Sequence, residues 1–158
     1  ELLRVMVLHP EMIEQVVEQV ARVETDDGEQ PEVDLEVVTG ASPVIRDPVY
    51  ALIFNELAAG GDLSAEALAD RLGPLENDVV ETLRSEPGAI VNAAQSIADS
   101  VRMLRARALR ERIDEHTRML PLAAEAEKNG LLRRAEALRK ELAAVGGREW
   151  RSVRRLGM

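Results

Sequence analysis

The sequence predicts an all-α protein: a small helical bundle joined by a long helix to a C-terminal helical hairpin. Three observations carry this. Apolar residues recur at steps of three and four along most of the chain, which gathers them on one face of a helix. Helix starts and stops, among them Asp47-Pro48, Gly60-Gly61, Ser64, Gly73-Pro74 and Pro87-Gly88, follow one another closely. The segment around Leu35, Val37 and Val38 is the one candidate strand, and it has no second strand to pair with.

The elements follow in order. Glu1 to Leu8 reads as a helix with Leu3, Met6 and Val7 inward. His9-Pro10 breaks it, because a residue before proline is pushed out of the helical region. Pro10 then opens a helix from Glu11 to Val23, with Ile13, Val16, Val17 and Val20 inward. Its first turn holds Glu11 and Glu14, where the helix dipole favours negative charge. Residues 24–46 are acidic and polar and read mostly as loop, long for a compact domain. Asp47 caps and Pro48 begins a helix to Ala59 that buries Tyr50, Ile53, Phe54 and Leu57. Gly60-Gly61 stops it. Ser64 caps a short helix to Leu72, with Leu68 and Leu72 inward. Gly73-Pro74 opens another to Ser85, with Leu75, Val79, Val80 and Leu83 inward, and Pro87-Gly88 closes it.

From Ala89 one helical pattern continues to Lys128. Ile90, Ala94, Ile97 and Val101 fit the bundle, and Leu104, Ala108 or Leu109, and Ile113 carry the stripe outward. Straight, this helix would be roughly 60 Å long. Pro121 interrupts it at about 3 kcal/mol, so a bend is expected one turn earlier, near Thr117. The hairpin is read about Asn129-Gly130, a pair that tolerates the left-handed backbone of a helix end. In that register Ala123 faces Ala135, Leu120 faces Leu138, His116 faces Leu142 and Ile113 faces Val145, each pair of numbers totalling 258. Gly146-Gly147 ends the second arm. The basic tail from Arg148 to Met158, with Trp150, Val153 and Leu156, reads either as helix resumed along the stalk or as a segment ordered on binding.

Composition narrows the function classes. Of 158 residues 46% are apolar but 2% aromatic, so the core is aliphatic and base stacking on aromatic rings is nearly excluded. There is no cysteine, which removes disulfides and thiolate zinc sites. No apolar run approaches the roughly 20 residues of a membrane span. The chain begins with Glu rather than Met and shows no signal peptide, so a fragment of a longer protein is expected. Net charge is −9, unevenly placed. Residues 1–98 carry 5 Lys/Arg against 20 Asp/Glu, whereas residues 99–158 carry 15 against 9. The split suggests two parts with different partners, an acidic bundle over 1–98 and a basic arm over 99–158.

Chemistry is sparse. His9 and His116 are distant in sequence, and His116 on the hairpin seam reads as a structural residue. No G-x-S-x-G, Walker A or G-x-G-x-x-G motif occurs. Asp26-Asp27-Gly28 lacks the spaced ligands of a calcium loop. Arg102, Arg105, Arg107, Arg110 and Arg112 could contact phosphates, but Asp99, Glu111, Asp114 and Glu115 are interleaved with them.

The order of motifs resembles one family. Glu1-Leu2-Leu3-Arg4 through His9-Pro10-Glu11, then Asp47-Pro48-Val49-Tyr50 through Phe54-Asn55-Glu56-Leu57, then Leu109 to Leu142 are together similar to the C-terminal helicase-binding domain of bacterial DNA primase. The resemblance covers nearly the whole chain. Residues 24–46 are longer than that pattern, and Gly146-Gly147 departs from it. It implies a bundle linked to a hairpin that docks on the N-terminal domains of the replicative helicase, in the bacterial cytoplasm at the fork. Single-stranded DNA-binding protein is a further implied partner. The fragment itself is then no enzyme and binds no cofactor: zinc and magnesium belong to other domains of the parent, which makes primers. The residues themselves nominate the docking positions Leu131, Leu132, Arg133, Arg134, Arg139, Trp150, Arg151 and Arg154, as apolar side chains beside charge. The alternative is a nucleic-acid-binding domain that uses the basic arm.

Overall fold

A computed structural model of the chain describes residues 1–25 and 44–146. It divides into two units, Glu1–Val101 and Arg102–Met158, where the sequence placed the boundary after residue 98. The described residues are all-helical: α1 (Leu2–Leu8), a 3-10 turn (Pro10–Met12), α2 (Ile13–Thr25), α3 (Pro48–Ala58), α4 (Ala65–Arg71), α5 (Pro74–Ser85), α6 (Ala93–Met119) and α7 (Glu125–Gly146). The expected loop over 24–46 and the tail after Gly147 fall mostly outside the described residues.

In the first unit, α1 packs against α2, α3 and α5. It is buried on most sides, through Leu2, Leu3, Val5 and Met6, while Val7 is half-buried rather than inward. Burial of each such side chain contributes roughly 1.5–3 kcal/mol. The other helices offer one stripe each: Val16 and Val20, then Ala51, Ile53, Phe54 and Leu57, then Leu68 and Leu72, then Val80, then Ile97. Three expected core residues stand outside, Ala94 in the first turn of α6 among them. Tyr50 and Leu75 lie on apolar stripes but in the first turns of α3 and α5, and both are exposed.

The helix ends obey local chemistry. Asp47 accepts hydrogen bonds from the Val49 and Tyr50 amides at 2.9 and 3.3 Å, satisfying two donors that have no partner inside α3. Ser64 accepts from Ala67 at the start of α4. Gly60 and Gly61 both adopt positive φ, 76° and 93°, which other residues resist. Arg71 holds that turn by donating to the carbonyls of Gly60 (3.2 Å) and Asp62 (2.8 Å). The Asp62 carboxylate accepts from the Ser64 amide, and that bond holds its pKa below the ordinary carboxylate value. Asn92 caps α6 through the Gln95 amide, so this helix starts at Ala93 rather than Ala89.

Arg4 is the buried polar exception. Its guanidinium lies 3.5 Å from the Glu86 carboxylate and donates to the backbone carbonyls of Glu86 and Gly88. These carbonyls belong to the chain leaving α5, so one side chain on α1 ties down a helix end whose residues are themselves exposed.

The second unit corrects the hairpin. α6 does not bend and continue; it ends at Met119. Leu120–Ala124 make the turn, where the Met119 carbonyl accepts from the amides of both Leu122 and Ala123 at 3.0 Å. Asn129 and Gly130 lie inside α7. Helix propensities explain the choice. Proline inside a helix costs about 3 kcal/mol, whereas Gly costs about 1 and Asn less than 1. Breaking at Pro121 and absorbing Asn129-Gly130 is the cheaper arrangement. Leu109, Ile113 and Leu138 form a buried cluster with Leu142 and Val145 packed against it. Arg105 donates to Glu141 at 2.8 Å, so facing numbers total about 246, not 258.

Candidate partner-docking surface

Among its described residues the second unit is two antiparallel helices, and a pair this thin buries one stripe per helix. On α7 that stripe is Leu131, Ala135 and Leu138, at steps of four and three. Leu131 is therefore a seam residue, 9% exposed, and not the exposed anchor expected from sequence. The reason is the position of the turn. With the turn at 120–124, Leu131 comes about two turns into α7, where the pair already packs.

The remaining expected positions divide. Leu132 is 48% exposed. Arg133, Arg134 and Arg139 are exposed and make no ion pair among the described residues. They do not form one patch. Leu132 and Arg139 share a stripe, seven residues apart, on one flank of the buried line. Arg134 precedes Ala135 by one position and falls on the other flank. Arg133 points away from the seam between them. Trp150, Arg151 and Arg154 lie outside the described residues.

Three exposed apolar side chains of this unit went unread in the sequence, one of them Met103 near the start of the unit, 69% exposed. Leu122, at the turn, is 87% exposed, and Met119, at the end of α6, is 48% exposed. Pro121 between them was the available signal, because a proline that ends a helix leaves its neighbours on a tip. Met119, Leu122 and Leu132 give this unit apolar surface, while Arg110, Arg118, Arg133, Arg134 and Arg139 give it unpaired positive charge among the described residues. Other charges are spent locally: Lys128 on Glu125 at 2.8 Å and Lys140 on Glu136 at 3.7 Å. Exposed apolar side chains beside free guanidinium groups suit a protein interface that is apolar at its centre and charged at its rim.

His116 sits half-buried on α6, and its Nδ1 is buried without a hydrogen-bond partner among the described residues. The described residues contain no cluster of three or more His, Asp or Glu side chains arranged to hold a metal ion. No helix among them is long and apolar enough to cross a membrane.

Comparison with protein-family models, curated proteins and solved structures found no significant match to this chain.

Proposed function

We propose that this chain is a docking module of the kind that joins bacterial DNA primase to the replicative helicase. The reading rests on the order of three motifs, Glu1 to Glu11, Asp47 to Leu57 and Leu109 to Leu142, spread over nearly the whole chain. The two-unit, all-helical architecture is compatible with it. In this proposal the first unit is a self-contained bundle and the second unit presents the docking surface to the helicase N-terminal domains. Its anchors are Met119, Leu122 and Leu132, with Arg139 on the flank that Leu132 shares and Arg133 and Arg134 adding charge on other faces of α7. Leu131 supports the surface from beneath. The parent protein would act in the bacterial cytoplasm at the replication fork, with single-stranded DNA-binding protein as a second partner, and its polymerase chemistry would reside elsewhere.

The unpaired arginines favour a second reading, in which the arm binds nucleic acid. One experiment separates the two: titration of the chain against the helicase N-terminal domain and against single- and double-stranded DNA, at low and physiological salt. Docking predicts helicase binding that Leu122→Asp and Leu132→Asp abolish, because apolar anchors carry most interface energy. Charge reversal at Arg133, Arg134 and Arg139 should weaken it more at low salt, since exposed charges are screened within about 10 Å at 0.1 M. Tight DNA binding near physiological salt with no helicase binding would overturn the docking assignment in favour of the nucleic-acid reading.

A further inference from the structure

The chain has four asparagines, and only Asn129 precedes a glycine. Two of the others are engaged. Asn77 donates to the carbonyls of Ala69 and Leu72, and Asn92 caps α6. Asn129 is exposed and makes no side-chain hydrogen bond among the described residues. Gly130 has no side chain to shield its amide, and nothing lies within 4 Å of where a Cβ would sit.

The surroundings decide how this pair behaves. Asn129 and Gly130 are the fifth and sixth residues of α7, and the first buried residue of that helix is Leu131. Residues 125–130 are exposed apart from half-buried Lys128. The start of α7 is also poorly capped. The Lys128 amide bonds to the Ala124 carbonyl at 3.2 Å, which places Ala124 at the cap, where it offers no side-chain acceptor. Helix ends without packing or caps open at low free energy.

We propose that Asn129 is a self-modification site, a spontaneous deamidation gated by opening of the first turns of α7. In the closed helix the Gly130 amide is engaged in the hydrogen-bond ladder and the helical backbone holds it away from the Asn129 side-chain carbonyl. When the turn opens, the Gly130 nitrogen gives its proton to solvent base and attacks Asn129 Cγ. A C–N bond forms, the side-chain nitrogen leaves as ammonia, and a five-membered succinimide results. Water opens the ring at either carbonyl. The net exchange consumes one water, releases one ammonia and leaves aspartate or isoaspartate.

The two products act oppositely on the arm. Aspartate adds negative charge near the N-terminus of α7 and stands four residues before Arg133, a favourable helical pair. Isoaspartate adds a methylene to the backbone and shifts every side chain before Leu131 out of phase with the seam. Either product changes the charge beside Leu132 and Arg133.

The test is peptide mapping by mass spectrometry after incubation of the intact chain at mildly alkaline pH, natively and in denaturant. The comparison variant is Ala124→Ser, which supplies a capping hydroxyl three residues before Glu127 while leaving Asn129-Gly130 untouched. The expected result is conversion at Asn129 ahead of Asn55, Asn77 and Asn92, slower in the native chain than in denaturant. Ala124→Ser should slow native conversion about fivefold and leave the rate in denaturant unchanged. Equal native and denatured rates, no preference for Asn129, no native conversion at all, or no effect of Ala124→Ser would each overturn the proposal.

Discussion

Replacing Gly130 with alanine tests the hairpin more directly than any change in its core. Gly130 lies inside α7 with ordinary helical backbone, since the described glycines with positive φ are Gly60, Gly61 and Gly88. An added Cβ meets no atom within 4 Å, so no steric term offsets the gain in helix propensity. Gly to Ala in a helix interior is worth roughly 0.5–1 kcal/mol, part of it through a less disordered unfolded chain. Gly130→Ala should therefore stabilise the second unit. Amide hydrogen exchange across α6 and α7 should slow by about two- to fivefold where exchange requires opening of the pair. Its melting, followed by circular dichroism, should rise by roughly 2–8 °C. If Asn129-Gly130 formed the turn instead, Gly130 would be left-handed and alanine there would cost about 1–2 kcal/mol. The two arrangements thus differ in sign. Faster exchange or a lower melting temperature in Gly130→Ala would refute a turn at Leu120–Ala124.

Three further outcomes can be checked. Charge reversal of Arg105 or Glu141 alone should weaken the second unit, and the double reversal should recover the loss. The coupling in a double-mutant cycle should be at most about 0.5 kcal/mol, because both side chains are about 40% exposed. Arg4→Met should destabilise the first unit by roughly 1.5–3 kcal/mol in urea unfolding, with Arg4→Lys restoring only part, since one ammonium cannot hold both the carbonyls that Nη2 reaches and the Glu86 carboxylate beside Nε. Asp62 has a lowered folded pKa through its bond from the Ser64 amide, so its contribution is present above the unfolded value and lost as pH falls through the folded one. Urea midpoints from pH 7 down to pH 3 should show a smaller acid-side loss in Asp62→Asn than in the parent chain.

What could be read in advance was whatever acts over a few residues. Asp47 and Ser64 cap their helices because the bond they make is three residues long or less, and sequence displays it. The apolar stripes were readable for the same reason, but their ends were not. Tyr50 and Leu75 fit the periodicity, yet they stand in the first turns of their helices and are exposed. Register failed for a related cause. A stripe repeats about every 11 residues, three turns, so α6 offers nearly the same face to α7 after a three-turn slide. The move from 258 to 246 is about that slide. Only the turn breaks the degeneracy, and the energies of Pro121 against Asn129-Gly130 were the information needed. Leu131 was misjudged as a consequence, because a seam residue and an exposed residue differ here by 100° of helix. Arg4 was beyond reach altogether: nothing near it in sequence suggests partners at Glu86 and Gly88.

That long reach of Arg4 has a consequence for the order in which the protein is made. Its acceptor at Glu86 lies 82 residues downstream. A ribosome adding about 5–20 residues per second takes roughly 4–16 s to produce them. Through that interval the Arg4 guanidinium on α1 is without the carbonyls that will receive it. The caps of α3 and α4, Asp47 and Ser64, are local and need nothing downstream. α1 must wait: it precedes α5 in the chain and is locked only once the residues that follow α5 exist. Chains released at Ser85 would hold every helix from α1 to α5 and still lack both carbonyl acceptors of Arg4.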